Sequence, residues 1–416
     1  MRVAIIGGGA AGMMCAARIQ EMDSSMDVFL IERNNGLGKK VIISGGGRCN
    51  LTTGIHDVKT LLTKYPRGNK FLTSAMYAFP PEAVYTWFEE HGVPLKAQPD
   101  ERVFPVSDDG KDVVGVFEEL FKETNVNVLL GHSVTSVKKD KKRFVIEFKG
   151  KKDPLVADAL VLTTGGQAYS QTGSKGDGYA FATDLGHKIT PLAPSLSAFF
   201  TEEKWPADIS GLSFEEADIT VLGSEKANFK GPFLFTHKGI SGPAVFALSS
   251  LTAFDVCTKE KPLKILINIF PNDSQEELIN SLKDMISKNR NKQFTNVLGG
   301  LVPKSLAEIA VHSLGISYSR LANGVSNVEL RSIVDWLMAI PLHVVQRGAG
   351  DEFVTAGGVD LSEVDPSTME SKICSNLFFA GEILNVDGFT GGFNLQASWA
   401  AGYLAGTSIG QIKKES

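Results

Sequence analysis

The stretch VAIIGGGAAGMMCAARI at residues 3–19 leaves few choices of fold. Residues 3–6 form an apolar run short enough for a buried parallel strand, and good helix formers follow from Met13. Gly7, Gly9 and Gly12 therefore fall where a strand gives way to a helix. In that context the G-x-G-x-x-G spacing is a dinucleotide-binding fingerprint. Gly7 allows the tight turn, Gly9 lets the backbone approach a pyrophosphate, and Gly12 lets the helix pack closely on the strand. The helix N-terminus, with Ala10 and Ala11, then faces the negative charge. A second strand, DVFLIER, ends in Glu32, where an acid can accept hydrogen bonds from ribose hydroxyls. A secretory signal would need an unbroken apolar helix here, which three consecutive glycines spoil, so a cytoplasmic chain is expected.

The other expectations from composition are mostly exclusions. The 416 residues suggest two to three domains by the usual length prior. No apolar run approaches the roughly 18 residues of a membrane span. A net charge of −5 gives no general attraction to nucleic acid. The lysine run KKDKKR reads as the solvated tip of a hairpin rather than an RNA patch. Cys15, Cys49, Cys257 and Cys374 form no CxxC pair and the seven histidines are scattered, so no disulfide framework, no paired-thiol centre and no structural metal are expected.

Strands and helices alternate up to about residue 190, and the texture then changes to short, aromatic-rich segments separated by Gly and Pro. Ser274 with Glu277, Pro303, and Ser326 with Glu329 mark helix starts beyond that. The segment FFAGEILNVDGFTGGFNLQASWAAG returns to strand, glycine loop and helix. The expected organisation is a nucleotide-binding domain over 1–191 and 346–416, an inserted β subdomain over 192–270 and 316–345, and a helical subdomain over 271–315.

A second glycine cluster, SGGGRCN, lacks the small-residue helix that packs behind a Rossmann turn, and no second complete fingerprint follows. One extended dinucleotide is the simplest account: an FAD with its pyrophosphate at Gly7–Gly12 and its ring far away, in a backbone cradle of its own. The fingerprint, GKKVIISGGGRCNLTT, ERVFPVSDDGKDVV, GSKGDGYAFATDLGHKITPLAPSL, FTHKGISGPAVF, TAGGVDL and the glycine-rich C-terminal segment together resemble the BaiN/YhiN flavoproteins, an aminoacetone oxidase-like group. The resemblance runs in order along nearly the whole chain. It implies an α/β fold: a discontinuous Rossmann-like FAD-binding domain of the two-dinucleotide-binding type, with an inserted β-barrel-like part and a small helical part. GDGYAFATDLGH is also similar to fumarate reductase flavoproteins, but the arginine and histidine constellation that works the dicarboxylate there has no counterpart.

By the same resemblance, Ser44, Gly46, Gly47, Arg48, Cys49 and Asn50 would line the flavin and ribityl chain, with Gly381 and Glu382 by the ribityl and phosphates. Gly391, Gly392, Phe393, Asn394 and Leu395 would approach the pyrimidine edge, the helix behind them directing its positive end at reduced flavin. Arg33, Lys39, Lys40, Val134, Thr164, Gly165 and Gly166 complete the expected cofactor contacts. No acid or base stands out, and Arg48, Cys49 and His237 are weak catalytic candidates. Arg48 could equally pair with a structural carboxylate, and Cys49, without a partner thiol, reads better as packing. The function implied is an FAD-dependent oxidoreductase passing a hydride between flavin and a small organic substrate, with transient NAD(P)H or oxygen as second redox partner. The alternatives are a flavin-dependent RNA-modifying enzyme and a non-catalytic FAD sensor. Partners other than a small molecule are not expected, neither nucleic acid nor membrane.

Overall fold

The computed structural model describes residues 1–150, 152–348 and 353–412. The chain divides into two compact units, Met1–Pro194 with Phe353–Ser416, and Ser195–Glu352.

The first unit is built on a five-stranded parallel sheet. Its spatial order is Leu377–Phe379, Ala159–Leu162, β1 (Arg2–Ile6), β2 (Asp27–Ile31) and Val126–Leu129. Parallel strands covered on both faces carry continuous apolar runs. Accordingly Val3, Ala4 and Ile5 are fully buried in the central strand. After β1 comes α1 (Ala10–Met22), which is buried along most of its length. Its cover is the C-terminal helix Phe393–Gly410. That contact depends on glycines spaced one helical turn apart. A β-carbon at Gly402 would lie 2.3 Å from the Ala11 carbonyl oxygen, one at Gly406 2.8 Å from that of Cys15, and one at Gly410 2.4 Å from Met22 Cβ. Backbone therefore meets backbone. The lysine run lies at the turn of the antiparallel pair Val134–Asp140 and Arg143–Phe148, with Lys141, Lys142 and Arg143 exposed, as a hairpin tip should be.

The second unit is a closed antiparallel barrel with an appended helical cluster. The strands run around it in the order Phe199–Thr201, Gly239–Ser241, Lys226–Thr236, Ser213–Leu222, Leu263–Asn268 and Ile340–Arg347. Alternation puts Phe233 and Phe235 inside, as a small barrel requires. Gln275–Lys288 and Asn327–Met338 start on complete capping boxes, Ser274 with Glu277 and Ser326 with Glu329, and Lys304–Ser313 follows Pro303. Leu282, Leu306, Ile333 and Leu337 join the barrel interior in one apolar core. The sequence reading missed the helix Pro243–Leu251, which is apolar almost all round and so shows no amphipathic period. Among the described residues no helix is long and apolar enough to cross a membrane.

Candidate cofactor site

The loops leaving β1, β2, Ala159–Leu162 and Leu377–Phe379 converge at the carboxyl edge of the parallel sheet, where open α/β sheets bind ligands. Each fingerprint glycine has its own reason. Gly7 has φ 116° and its β-carbon would lie 2.4 Å from the Thr163 carbonyl oxygen. Gly12 is tighter still, its β-carbon falling 2.0 Å from the Gly7 oxygen, so the helix packs on the turn itself. At Gly9 a β-carbon would meet nothing within 4 Å. This glycine is thus not required by the protein's own packing. It is also the N-cap of α1, with no side-chain cap and no acid in the first turn, which leaves the positive helix end open to an anion.

Glu32 is buried beside this turn. Its Oε2 accepts from the Gly8 N–H at 2.9 Å, and Oε1 from the Asn34 backbone N–H at 2.8 Å and Nδ2 at 2.7 Å. The cations expected nearby are partly committed. Arg33 is ion-paired with Asp177 and donates to the Gly173 oxygen at 3.2 Å, and Lys39 donates to Asn34 Oδ1 at 3.2 Å. Lys40 Nζ lies 2.8 Å from Glu382, whose other oxygen accepts from the Thr355 N–H at 2.9 Å. Thr355 Oγ1 in turn accepts from the backbone of Gln167 at 2.7 Å and Ala168 at 3.1 Å. Gly166 is pressed against Thr355, and Gly381, at φ 81°, places its missing β-carbon 2.9 Å from Ala11 Cβ. Gly165 is also left-handed, at φ 74°. Beside these loops Thr164 Oγ1 and Tyr179 Oη are buried without a hydrogen-bond partner. Burial, and then the charge of Glu382, pushes the Tyr179 phenol up, so it stays protonated. Val134 is half-buried against the core and pairs with Phe148.

The second glycine cluster forms a left-handed turn. Gly45, Gly46 and Gly47 have φ 58°, 73° and 90°, and Cys49 follows at 60°. Ser44 Oγ donates to the Val41 oxygen at 2.7 Å. Beyond Gly46 and Gly47 a β-carbon would again find open space, so the chain has a second exposed stretch of backbone. This turn is fastened to the start of the C-terminal helix. With its amide oriented to satisfy its neighbours, Asn50 accepts from the Gly392 N–H at 2.9 Å and donates to the Thr52 oxygen at 3.2 Å. Thr52 Oγ1 donates to Gln396 at 2.6 Å, and Trp399 Nε1 donates to the Leu51 oxygen at 3.0 Å. The two distant glycine loops are therefore one framework.

At the helix start, Gly391 and Gly392 have φ 135° and 88°. Gly392 is the N-cap, without a side-chain cap. The following side chains are used internally: Phe393 packs edge-on against Tyr65, Asn394 bonds both backbone groups of Gly388 at 2.9 Å, and Leu395 lies against the core. What this segment offers a ligand is backbone N–H groups. Arg48 stands half-exposed, its guanidinium 4.1 Å from the Phe104 ring centroid and 3.8 Å from Asp108. Cys49 lies in the core, where the packing reading puts it. It is fully buried, and burial pushes the thiol up to about 12. We expect Cys49 to stay unmodified when native protein is treated with iodoacetamide at mildly alkaline pH, as read by peptide mass spectrometry; rapid alkylation would contradict its burial. His237 belongs to the other unit, exposed in the turn between Lys226–Thr236 and Gly239–Ser241. Among the described residues no three His, Cys, Asp or Glu side chains are grouped to hold a metal ion. Thr355, Asp177 and Gln396 escaped the sequence reading because each lies far along the chain from a partner, whereas Asn34 bonds Glu32 only two residues away but in a loop with no motif to mark it.

The chain matches the family described as HI0933-like protein Rossmann domain over residues 1–408. It is 29% identical over 412 residues to a 3-dehydro-bile acid delta(4,6)-reductase of Clostridium scindens, covering 99% of each chain. It is 30% identical over 417 residues to a ribosomal RNA dihydrouridine synthase of Haemophilus influenzae, covering 97% of each. Among solved structures, a 3-ketosteroid delta1-dehydrogenase from Sterolibacterium denitrificans shares the fold at TM-score 0.52 and 11% identity, with 99% of both chains covered.

Proposed function

Because the chain belongs to the HI0933-like family and is an FAD-dependent oxidoreductase, we propose that it saturates a carbon–carbon double bond conjugated with a carbonyl group in a small organic substrate. The observation that supports the cofactor assignment is the pair of open backbone stretches, at Gly9 and at Gly46–Gly47, the second of them hydrogen-bonded to the start of the C-terminal helix through Asn50. Those glycines spare room that the protein itself does not fill, and buried, unpartnered Thr164 Oγ1 lies close by. The residues present fit an extended FAD.

FAD, when bound, supplies the two-electron carrier between NAD(P)H and the substrate. The chain's own groups do the rest. The N-terminus of α1 would hold the pyrophosphate, and the Glu32 carboxylate would accept from a ribose hydroxyl. The Gly46–Gly47 backbone would lie against the ring, and Lys40, ion-paired with Glu382, would keep the acid from repelling the phosphates. The N–H groups at the start of Phe393–Gly410 favour negative charge at the pyrimidine end. Support for the substrate class comes from the relatives' names: reduction of a delta(4,6) double bond in a 3-dehydro acid and formation of dihydrouridine both saturate a double bond conjugated with a carbonyl. RNA as the substrate is a second reading, favoured by the names of the Haemophilus relative and of an Escherichia coli relative 28% identical over 413 residues, which covers 97% of each chain.

The test is stopped-flow reduction of the flavin by NADH and NADPH, followed by reoxidation with cyclic enones or with uridine-containing RNA. Reoxidation by enones faster than by buffer oxygen supports the proposal; reoxidation by oxygen alone overturns it. RNA turnover that falls steeply with salt would favour the second reading. Glu32→Ala should weaken FAD binding by about 1.5–3 kcal/mol, roughly 10- to 150-fold, the range for a hydrogen bond to a charged group. Unchanged affinity in a fluorescence titration would show that Glu32 is not the ribose ligand.

A further inference from the structure

No motif spacing marks residues 64–68, KYPRG, yet they bracket the loop that leads into the C-terminal helix. Tyr65 Oη donates to the Phe393 oxygen at 2.8 Å, and the Phe389 N–H donates to the Lys64 oxygen at 2.9 Å. Gly68 fits under Val386, where a β-carbon would lie 2.5 Å from Cγ2. Between these contacts Arg67 grips Asp387 with Nε and Nη2, one on each carboxylate oxygen. Asp387 is fully buried and the Arg67 side chain only 16% exposed.

Burying an ion pair has a desolvation cost that often matches its Coulomb gain, and apolar residues can hold a loop as well. The neutral contacts of Tyr65, Phe389 and Gly68 already do so. The pair must then be judged by where its charge lies. Asp387 sits in the loop just ahead of the helix N-cap Gly392, whose N–H groups carry partial positive charge. An unbalanced carboxylate there would offset that charge.

We propose that Arg67 is a positioning residue that acts electrostatically, neutralising Asp387 so that the start of the C-terminal helix stays positive and favours reduced flavin. This rests on the FAD reading above. The experiment measures the midpoint potential of FAD-loaded wild type, Arg67→Met, Asp387→Asn and the double variant by equilibration with redox dyes, alongside their thermal midpoints. Arg67→Met should lower the reduced-to-oxidised ratio at fixed poise about tenfold, about 30 mV for a two-electron couple. Asp387→Asn should shift it the other way, and the double variant should return towards wild type. If both single variants shift the same way, the pair is only a mechanical clamp and the inference falls. Should a single variant fail to fold, Arg67→Lys decides: it keeps the charge without the fork, so a wild-type potential supports the inference and a fall in potential overturns it. A wild-type protein that takes up no FAD overturns the cofactor reading itself, a different outcome from a yellow protein with parallel shifts.

Discussion

Gly9→Val should give a folded but colourless protein. The position has open space where a β-carbon would go, with no protein atom within 4 Å of it. Its isopropyl group would instead occupy the volume in which a pyrophosphate approaches the first turn of α1. Hydrogen bonds to a charged group are worth about 1.5–3 kcal/mol each, so losing two would cost about 3–6 kcal/mol of binding. Gly12→Val is the contrast, because its β-carbon falls 2.0 Å from the Gly7 carbonyl oxygen and must disrupt the turn. The pair separates ligand space from packing: Gly9→Val should keep its thermal midpoint without ligand and lose visible flavin absorbance after dialysis, whereas Gly12→Val should lose both. A Gly9→Val protein that stays yellow would place the pyrophosphate elsewhere.

Gly392→Val should be damaging for the opposite reason. Its β-carbon would lie 2.1 Å from the Thr52 oxygen, and its φ of 88° suits glycine. Left-handed strain of about 1–3 kcal/mol and overpacking of about 1–3 kcal/mol together give a loss on the order of 2–6 kcal/mol. The helix start must also withdraw from Asn50, which opens the framework between the two glycine loops. Thermal melts should show a clear drop together with reduced flavin content. An unchanged midpoint would mean that the loop relaxes freely, and that the Asn50 contact does not define the site.

The fingerprint was legible because its strand, glycines, helix and acid act over short sequence distances, where steric rules decide the outcome. Capping boxes at Ser274 and Ser326 were legible for the same reason. The purpose of the second glycine cluster was only half legible. The open backbone at Gly46 and Gly47 suits the expected cradle, but its fastening to Gly392, Gln396 and Trp399 joins segments more than 340 residues apart. Arg67 carries no local signal at all, and Thr355 only its place in TAGGVDL, since a polar residue gains its role from what the fold brings opposite it. The burial of Cys49 was legible in outline, because a cysteine without a partner thiol most often packs.

The cover that Phe393–Gly410 provides for α1 has a consequence for synthesis. At about 5–20 residues per second, a ribosome delivers that helix roughly 20–80 seconds after α1 has emerged. Throughout that interval the nascent chain shows a bare apolar helix, with the barrel unit made in between. If Gly392 lines the flavin as proposed, capture of the cofactor is a late event, and a chain released before residue 393 should be colourless, sticky and open to chaperones and proteases.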